Sequence, residues 1–267
     1  MSTLGAVLKI AVLDAEVDLG KDFHVVPELG GPLALVLAAH PPADPRVVDL
    51  VLAGTDLDQL KRTRLEPFAQ NVANRRFAVS TGSPELAEWD PSWSITAERL
   101  LNRLRSALPG WPGLRWDHIG STSVPGLAAK PIIDLQLGVP CLDQLDGLDE
   151  ALLAVGFTDV ALLAPDSPGV LRDAQRGATG PDARWDKRLF ASADPGQRAI
   201  LHVRQIDSPW WRYTTRFRDL LRADPVVRHD YEQAKRQLTD GRSYDAYTVA
   251  KTAFFDTIQA RLDEPVS

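Results

Sequence analysis

Cysteine is almost missing from this chain. Cys141 is the only one in 267 residues, which excludes an intrachain disulfide framework and fits a reducing compartment. It sits beside Pro140 with no reactive signature around it, so it reads as a small core or loop residue rather than a nucleophile. Positive charge is also in short supply. The formal net charge of −6 argues against broad nucleic-acid binding and requires any phosphate site to be local. Long apolar runs are absent, which excludes a bilayer-spanning helix, and Met1 to Leu19 has no basic start and is interrupted by Asp14, Glu16 and Asp18. The sequence therefore predicts a soluble, cytoplasmic protein that makes no membrane contact. No repeat or low-complexity tract occurs. What remains, with 44% hydrophobic residues, is enough to bury a sizeable core as one large domain or two smaller ones.

Short apolar runs separated by charged turns, Val7-Leu8 and Ile10-Ala11-Val12-Leu13, predict strands, and Leu33 to Ala39 adds another. The prolines of His40-Pro41-Pro42-Ala43-Asp44-Pro45 make a loop. Val47 to Leu52 reads as a buried strand. Asp56 to Arg76 reads as a helix with Leu57, Leu60, Leu65 and Phe68 roughly on one face. Ser80-Thr81-Gly82-Ser83-Pro84 is linker-like, which sets the expected boundary between a small α/β segment over 1–78 and a second domain over 79–267. In the second domain a helix is expected from an N-cap at Ser94, through Leu100, Leu101, Leu104 and Leu108, to a stop at Pro109-Gly110. Leu142 to Val155 reads as an amphipathic helix closed by Gly156, and Asp166 to Asp182 as an exposed loop. Leu189-Phe190 and Ala199 to Val203 read as strands, and Thr214 to Ala223, Val226 to Leu238 and Ala246 to Leu262 as helices. The expected fold is α+β: a mixed sheet flanked by helices, with a helical C-terminal lobe.

The chemistry concentrates in Asp117-His118-Ile119-Gly120-Ser121-Thr122-Ser123-Val124-Pro125-Gly126, followed by Lys130-Pro131-Ile132-Ile133-Asp134-Leu135-Gln136-Leu137. A turn at Gly120-Ser121 can bring amide N–H groups to phosphate oxygens, and a carboxylate on the next strand can hold a divalent metal. Strand alternation puts Asp134 and Gln136 on one face, away from Ile133 and Leu135. Gln136 offers a metal an uncharged oxygen where a second carboxylate is wanted, so a Mg²⁺ site here depends on Asp134 and on the nucleotide itself. His202 can pack beside its apolar neighbours or reach a cleft. Trp210, Trp211 and Tyr213 read as core rather than as a wall for a planar ligand.

Five ordered blocks resemble the GrpB family, whose fold belongs to the nucleotidyltransferase superfamily. They are Trp89-Asp90-Pro91 with Trp93, the His118 to Gly126 run with Lys130 and Ile133-Asp134, Leu201-His202-Val203, Phe217-Arg218-Asp219 with Leu221-Arg222-Ala223 and Pro225, and Tyr247-Thr248 with Ala250-Lys251. The resemblance implies attack of an acceptor on the α-phosphorus of a nucleoside triphosphate, with acidic residues holding metal ions. It makes Asp134 and His202 the candidate catalytic residues and Asp134 and Gln136 the candidate metal ligands. His118, Gly120, Ser121, Lys130, Arg218, Arg222 and Lys251 become the candidate phosphate or nucleotide contacts.

A narrower resemblance runs upstream. Leu65-Glu66-Pro67-Phe68-Ala69-Gln70-Asn71 and Lys187-Arg188-Leu189-Phe190-Ala191-Ser192-Ala193-Asp194-Pro195-Gly196 are similar to segments of actinobacterial dephospho-CoA kinases that carry a GrpB domain as a C-terminal extension. No Gly-x-x-x-x-Gly-Lys-Ser/Thr loop is present to cradle ATP, so residues 1–78 read as a degenerate or truncated kinase remnant without dephospho-CoA kinase activity. Two functions follow as expectations. One is a protein that binds a nucleotide or related phosphorylated ligand and transfers a nucleotidyl group to a small acceptor. The other is a non-catalytic binding or accessory domain tied to CoA biosynthesis, for which a protein partner is one option.

Overall fold

Two sheets organise the chain, and each follows from how its strands are patterned. The computed structural model describes residues 7–79, 85–175, 184–238 and 252–263. The first sheet holds β1 (Leu8–Leu13), β2 (Phe23–Val26), β3 (Leu35–Ala38) and β4 (Leu50–Val51) in the order β2-β1-β3-β4, all parallel. Continuous apolar runs suit parallel strands buried on both faces. Parallel neighbours are ordinarily joined by helical crossovers. Here the connections 14–22, 27–34 and 39–49 are loops and turns. The expected strand over Val47 to Leu52 shrinks to two residues, although Val48 is buried.

One helical stretch covers this sheet: α1 (Leu57–Leu60), a π-helical turn (Lys61–Leu65) and α2 (Glu66–Ala73). Asp56 caps it through Gln59 N. The π turn has a reason in the sequence. Leu60 and Leu65 are five apart, out of phase on an α-helix, and widening the coil by one residue keeps both buried with Phe68 and Val72. These side chains pack on Leu8, Ile10, Val12, Leu35 and Leu37, and Leu153 and Ala193 from the second unit complete the same core.

The second sheet is mixed, in the order β5-β6-β9-β8-β7: β5 (Arg115–Ile119), β6 (Ile133–Val139), β7 (Phe157–Asp159), β8 (Lys187–Ser192) and β9 (Ala199–Gln205). Only the central β6–β9 pair is parallel. Its apolar face carries Ile133, Leu135, Leu137, Phe190, Leu201 and Val203 and packs on α3 (Ser92–Ala107) and α4 (Leu148–Ala154). Helix α3 starts two residues before the expected cap at Ser94, because the Asp90 carboxylate accepts from Ser92 N and its carbonyl from Trp93 N. Helix α4 is shorter than expected. Gly147, with φ of 81°, holds the chain in the left-handed region until Leu148.

The C-terminal lobe consists of α5 (Pro209–Ala223), α6 (Pro225–Leu238) and α7 (Thr252–Asp263). Tyr213, Phe217, Tyr231, Phe254 and Phe255 form its core, ring against ring, so the Trp210–Tyr213 aromatics are mainly structural. The architecture is the expected one of sheets flanked by helices, with a helical C-terminal lobe. No helix among the described residues is long and apolar enough to cross a membrane.

Candidate functional site

Register fixes which side chains share the polar face of the mixed sheet. Asp134 pairs with Ile200, Gln136 with His202 and Gly138 with Arg204 on β9, while Lys187 and Leu189 of β8 pair with Arg204 and His202. Asp134, Gln136, His202, Arg204 and Lys187 therefore project to one side, and α5 lies across it.

Gly120 opens the turn between β5 and β6 with φ 70° and ψ −173°, a conformation that only glycine adopts readily. A Cβ there would stand 2.9 Å from Asp134 Cβ, so the missing side chain lets the turn close down on that carboxylate. Ser121–Ser123 make one 3-10 turn. Ser123 Oγ donates to Gly120 O at 2.6 Å, and Ser123 N and Val124 N donate back into the turn. The Ser121 and Thr122 amides come too early to find a carbonyl inside it.

His202 is the neighbour of Asp134, with Nε2 3.8 Å from Asp134 Oδ1, beyond hydrogen-bond range. The side chains are 19% and 33% exposed, so this is the accessible end of the polar face. Beyond them lies a buried charged cluster. Asp173 accepts from Lys187 Nζ at 2.9 Å, from Arg204 Nε at 2.7 Å and from Arg204 Nη2 at 3.0 Å. Burial pushes Asp173 up, but the two cations more than offset it and hold the carboxyl below its usual range. Burial, aided by Arg204, brings Lys187 down to about 8 against the pull of Asp173 and Asp134. His202 Nδ1 faces both cations, at 3.2 Å from Arg204 Nη2 and 3.3 Å from Lys187 Nζ.

Gln136 does not present itself to a metal. It is fully buried, its Oε1 accepts from Arg204 Nη1 and Thr214 Oγ1, both at 2.8 Å, and its Nε2 donates to Trp211 O at 3.2 Å. An amide oxygen has two lone pairs, and both are engaged. Among the described residues no group of three or more His, Cys, Asp or Glu is placed to hold a metal ion. Mg²⁺ demands near-octahedral oxygen ligation. One carboxylate beside an imidazole and a saturated amide does not fit a protein-held Mg²⁺.

The other expected contacts divide. Gly120 stands against Asp134, and Ser121 follows it in the turn. His118 pairs with Leu135 and so points to the opposite face, where Nε2 meets Thr122 Oγ1 at 3.0 Å. Burial, then Arg222 and Arg218, lowers it to about 4. A neutral imidazole on the far side of the turn supports the turn and is badly placed to contact phosphate. Arg218 Nη1 donates to Asp117 Oδ1 and His118 O, both at 3.1 Å, and Arg222 Nη2 donates to Ser123 O at 2.7 Å. Both guanidiniums brace β5 and the turn from α5. Lys130 is half-buried in the connection before β6. Lys251, with Tyr247, Thr248 and Ala250, lies outside the described residues.

Sequence reasoning missed Arg204, Lys187, Asp173 and Thr214. Arg204 was within reach, because it follows His202 by two and shares its face. Asp173 was not: it lies in the segment expected to be an exposed loop, yet it is buried, and no periodicity marks it.

A family model described as GrpB protein matches residues 83–261. The dephospho-CoA kinase of Mycolicibacterium paratuberculosis is 39% identical over 206 residues, covering 74% of this chain and 50% of that protein. The chain thus spans about half the length of the kinases it matches. A UPF0157 protein of Halalkalibacterium halodurans is 33% identical over 205 residues, covering 74% of this chain and 92% of that protein. The crystal structure of the conserved protein GrpB from Enterococcus faecalis superposes with a TM-score of 0.52 at 26% identity, covering 67% of this chain and 96% of that one. Its nucleotidyltransferase-like fold is the one the mixed sheet and its helices reproduce. The family match runs through every element from α3 to α6 and into α7, and on that ground the chain belongs to the GrpB family.

Proposed function

We propose that the polar face of the mixed sheet binds a phosphorylated small molecule, of the nucleotide or CoA-precursor class, without transferring a nucleotidyl group. Gln136 carries this reading. Metal-assisted phosphoryl chemistry needs carboxylates that clamp the attacking and leaving oxygens, and the position next to Asp134 on its face holds an amide already spent on Arg204, Thr214 and Trp211. Binding alone asks for less. The turn supplies a backbone N–H at Ser121, His202 supplies a side chain 3.8 Å from Asp134, and Asp134 accepts from a hydroxyl or amine of the ligand. The CoA-precursor option is motivated by the relatives named dephospho-CoA kinase. No glycine-rich loop with the Lys and Ser or Thr of an ATP-phosphate cradle occurs in this sequence, so phosphorylation of dephospho-CoA is not part of the proposal.

Isothermal titration with ATP and with dephospho-CoA, each in Mg²⁺ and in EDTA, tests the reading. Chelation is expected to leave affinity unchanged, and Asp134→Asn to keep it within about tenfold, the worth of one hydrogen bond. A ligand at a hundred times its Kd should add about 2.7 kcal/mol of stability, visible as a thermal shift. Binding that requires Mg²⁺ and vanishes in Asp134→Asn restores the nucleotidyl-transfer reading; no binding of either ligand sinks both.

A further inference from the structure

We infer that Arg204 is a positioning residue that locks His202 in the tautomer with its proton on Nε2, so that His202 acts as a hydrogen-bond donor to a ligand oxyanion. The ligand half of this inference rests on the function proposed above; the tautomer half does not.

The argument starts from what a guanidinium lacks. Arginine has five N–H donors and no acceptor. Its Nη2 is 3.2 Å from His202 Nδ1, so that ring nitrogen must offer its lone pair. Lys187 Nζ, at 3.3 Å from the same atom, donates as well. A proton on Nδ1 would face both. The ring proton is therefore on Nε2, on the side of Asp134.

Arg204 cannot swing away to relax this. It is 2% exposed, two of its nitrogens grip the Asp173 carboxylate, Nη1 is held by Gln136 Oε1, and its guanidinium lies 5.9 Å from the Trp210 ring centroid. Gln136 thereby acquires a role that a carboxylate would fill differently: it takes one guanidinium donor and leaves another for His202. An imidazole whose Nε2 carries the proton can neither coordinate a metal nor accept a proton through that atom. Of metal ligand, general base and phosphate contact, the geometry points to the third.

Long-range ¹H–¹⁵N correlation spectra of the labelled full chain read the tautomer directly, with the His202 signals identified by their loss in His202→Gln. The expected ligand-free pattern is Nε2–H, and an Nδ1–H pattern overturns the inference on the wild-type protein alone. Arg204→Gln, whose amide can accept as well as donate, is expected to populate both tautomers. An unchanged Nε2–H pattern in that variant, with its amide spectrum intact, removes Arg204 from the role. Should Arg204→Gln not fold, Asp173→Asn loosens the same guanidinium without removing it and is read the same way.

Titration with ATP then tests the donor. The Nε2–H resonance should move on binding, His202→Gln should hold ATP within about threefold, and His202→Ala should lose about tenfold or more, as expected for a hydrogen bond to a charged group. ATP that binds without moving the resonance overturns the donor role. ATP and dephospho-CoA that fail to bind at all refute the proposed function, while the lock is judged on the ligand-free spectrum.

Discussion

Replacing Gly120 by Ala tests whether the turn is built around Asp134. Two costs add at this position. The backbone, at φ 70° and ψ −173°, lies in a region essentially reserved for glycine, which costs about 1–3 kcal/mol for any other residue. The new methyl would also stand 2.9 Å from Asp134 Cβ and 3.0 Å from its Cγ, well inside ordinary carbon contact at about 3.5–4.0 Å. Both residues are pinned, since Asp134 is paired to Ile119 and Ile200, so the clash is relieved only by moving strands. Overpacking of this kind costs about 1–3 kcal/mol. The expected destabilisation is therefore about 2–6 kcal/mol, a large share of the roughly 5–15 kcal/mol typical of a folded chain. Gly126→Ala is the control. Its φ is 76° but nothing lies within 4 Å, so only the left-handed penalty of about 1–2 kcal/mol applies. Urea unfolding with unchanged m-values gives both numbers. In an Asp134→Gly background, which removes both carbons of that contact, the Gly120→Ala cost should fall by about 0.5–3 kcal/mol, the range of contact couplings. The reasoning fails if Gly120→Ala and Gly126→Ala cost the same within about 0.5 kcal/mol, or if the coupling is zero.

Two other predictions address the contact between the helical stretch over the first sheet and the end of β8, and the far side of the turn. Asp194→Ala strands Arg64, whose Nε and Nη2 grip that buried carboxylate at 2.9 and 2.7 Å, and should cost about 3–5 kcal/mol in denaturant, whereas the Arg64→Met/Asp194→Leu pair recovers most of it; a loss under about 1 kcal/mol would show the pair to be idle. His118 titrates near 4 when folded against an ordinary 6.5, so the unfolded chain binds more protons between those values. Stability present above pH 6.5 is then lost as pH falls to 4, by roughly 3 kcal/mol in total, and His118→Gln should flatten that part of the profile; an unchanged slope refutes the assignment.

Legibility in the sequence tracked how local each signal was. The alternation of β6 put Asp134 and Gln136 on one face without any structure, because period two is a property of the strand alone. The fate of Gln136 was hidden, because Arg204, Thr214 and Trp211 come from β9 and α5, far away in sequence. The resemblance puts His118 among the phosphate contacts, but face depends on register, and its pairing with Leu135 turns it away. Arg218 and Arg222 fall on a helix as the spacing predicts; what no helical pattern could reveal is that their donors end on Asp117, His118 O and Ser123 O. The long-range partners decide chemistry, and the local pattern decides only which face is offered to them.

The same distinction bears on residues 7–79. Read alone they are strands without crossover helices, which invites the description of a remnant. Their contacts argue for more. Asp49, in the loop before β4, is buried against Arg99 and Arg103 of α3, and Val36 N donates to the same carboxylate. Phe68 of α2 lies where a side chain on Gly156 would be, with Cε2 2.7 Å from the position of the missing Cβ, and Arg64 occupies the corresponding space at Gly196. Asn71 donates to Ala193 O, and Ala78 N to Ser192 O at the end of β8. Gly156 and Gly196 of the second unit thus leave room for Phe68 and Arg64 of the first, and Asp49 of the first unit meets Arg99 and Arg103 of the second. Removing the first sheet would leave Leu153 and Ala193 without the core they now complete and Arg99 and Arg103 without Asp49. Whatever catalytic loop this segment lacks, its packing makes it a structural wall of the GrpB unit, set against α3, α4 and the end of β8 and away from the polar face that carries Asp134 and His202.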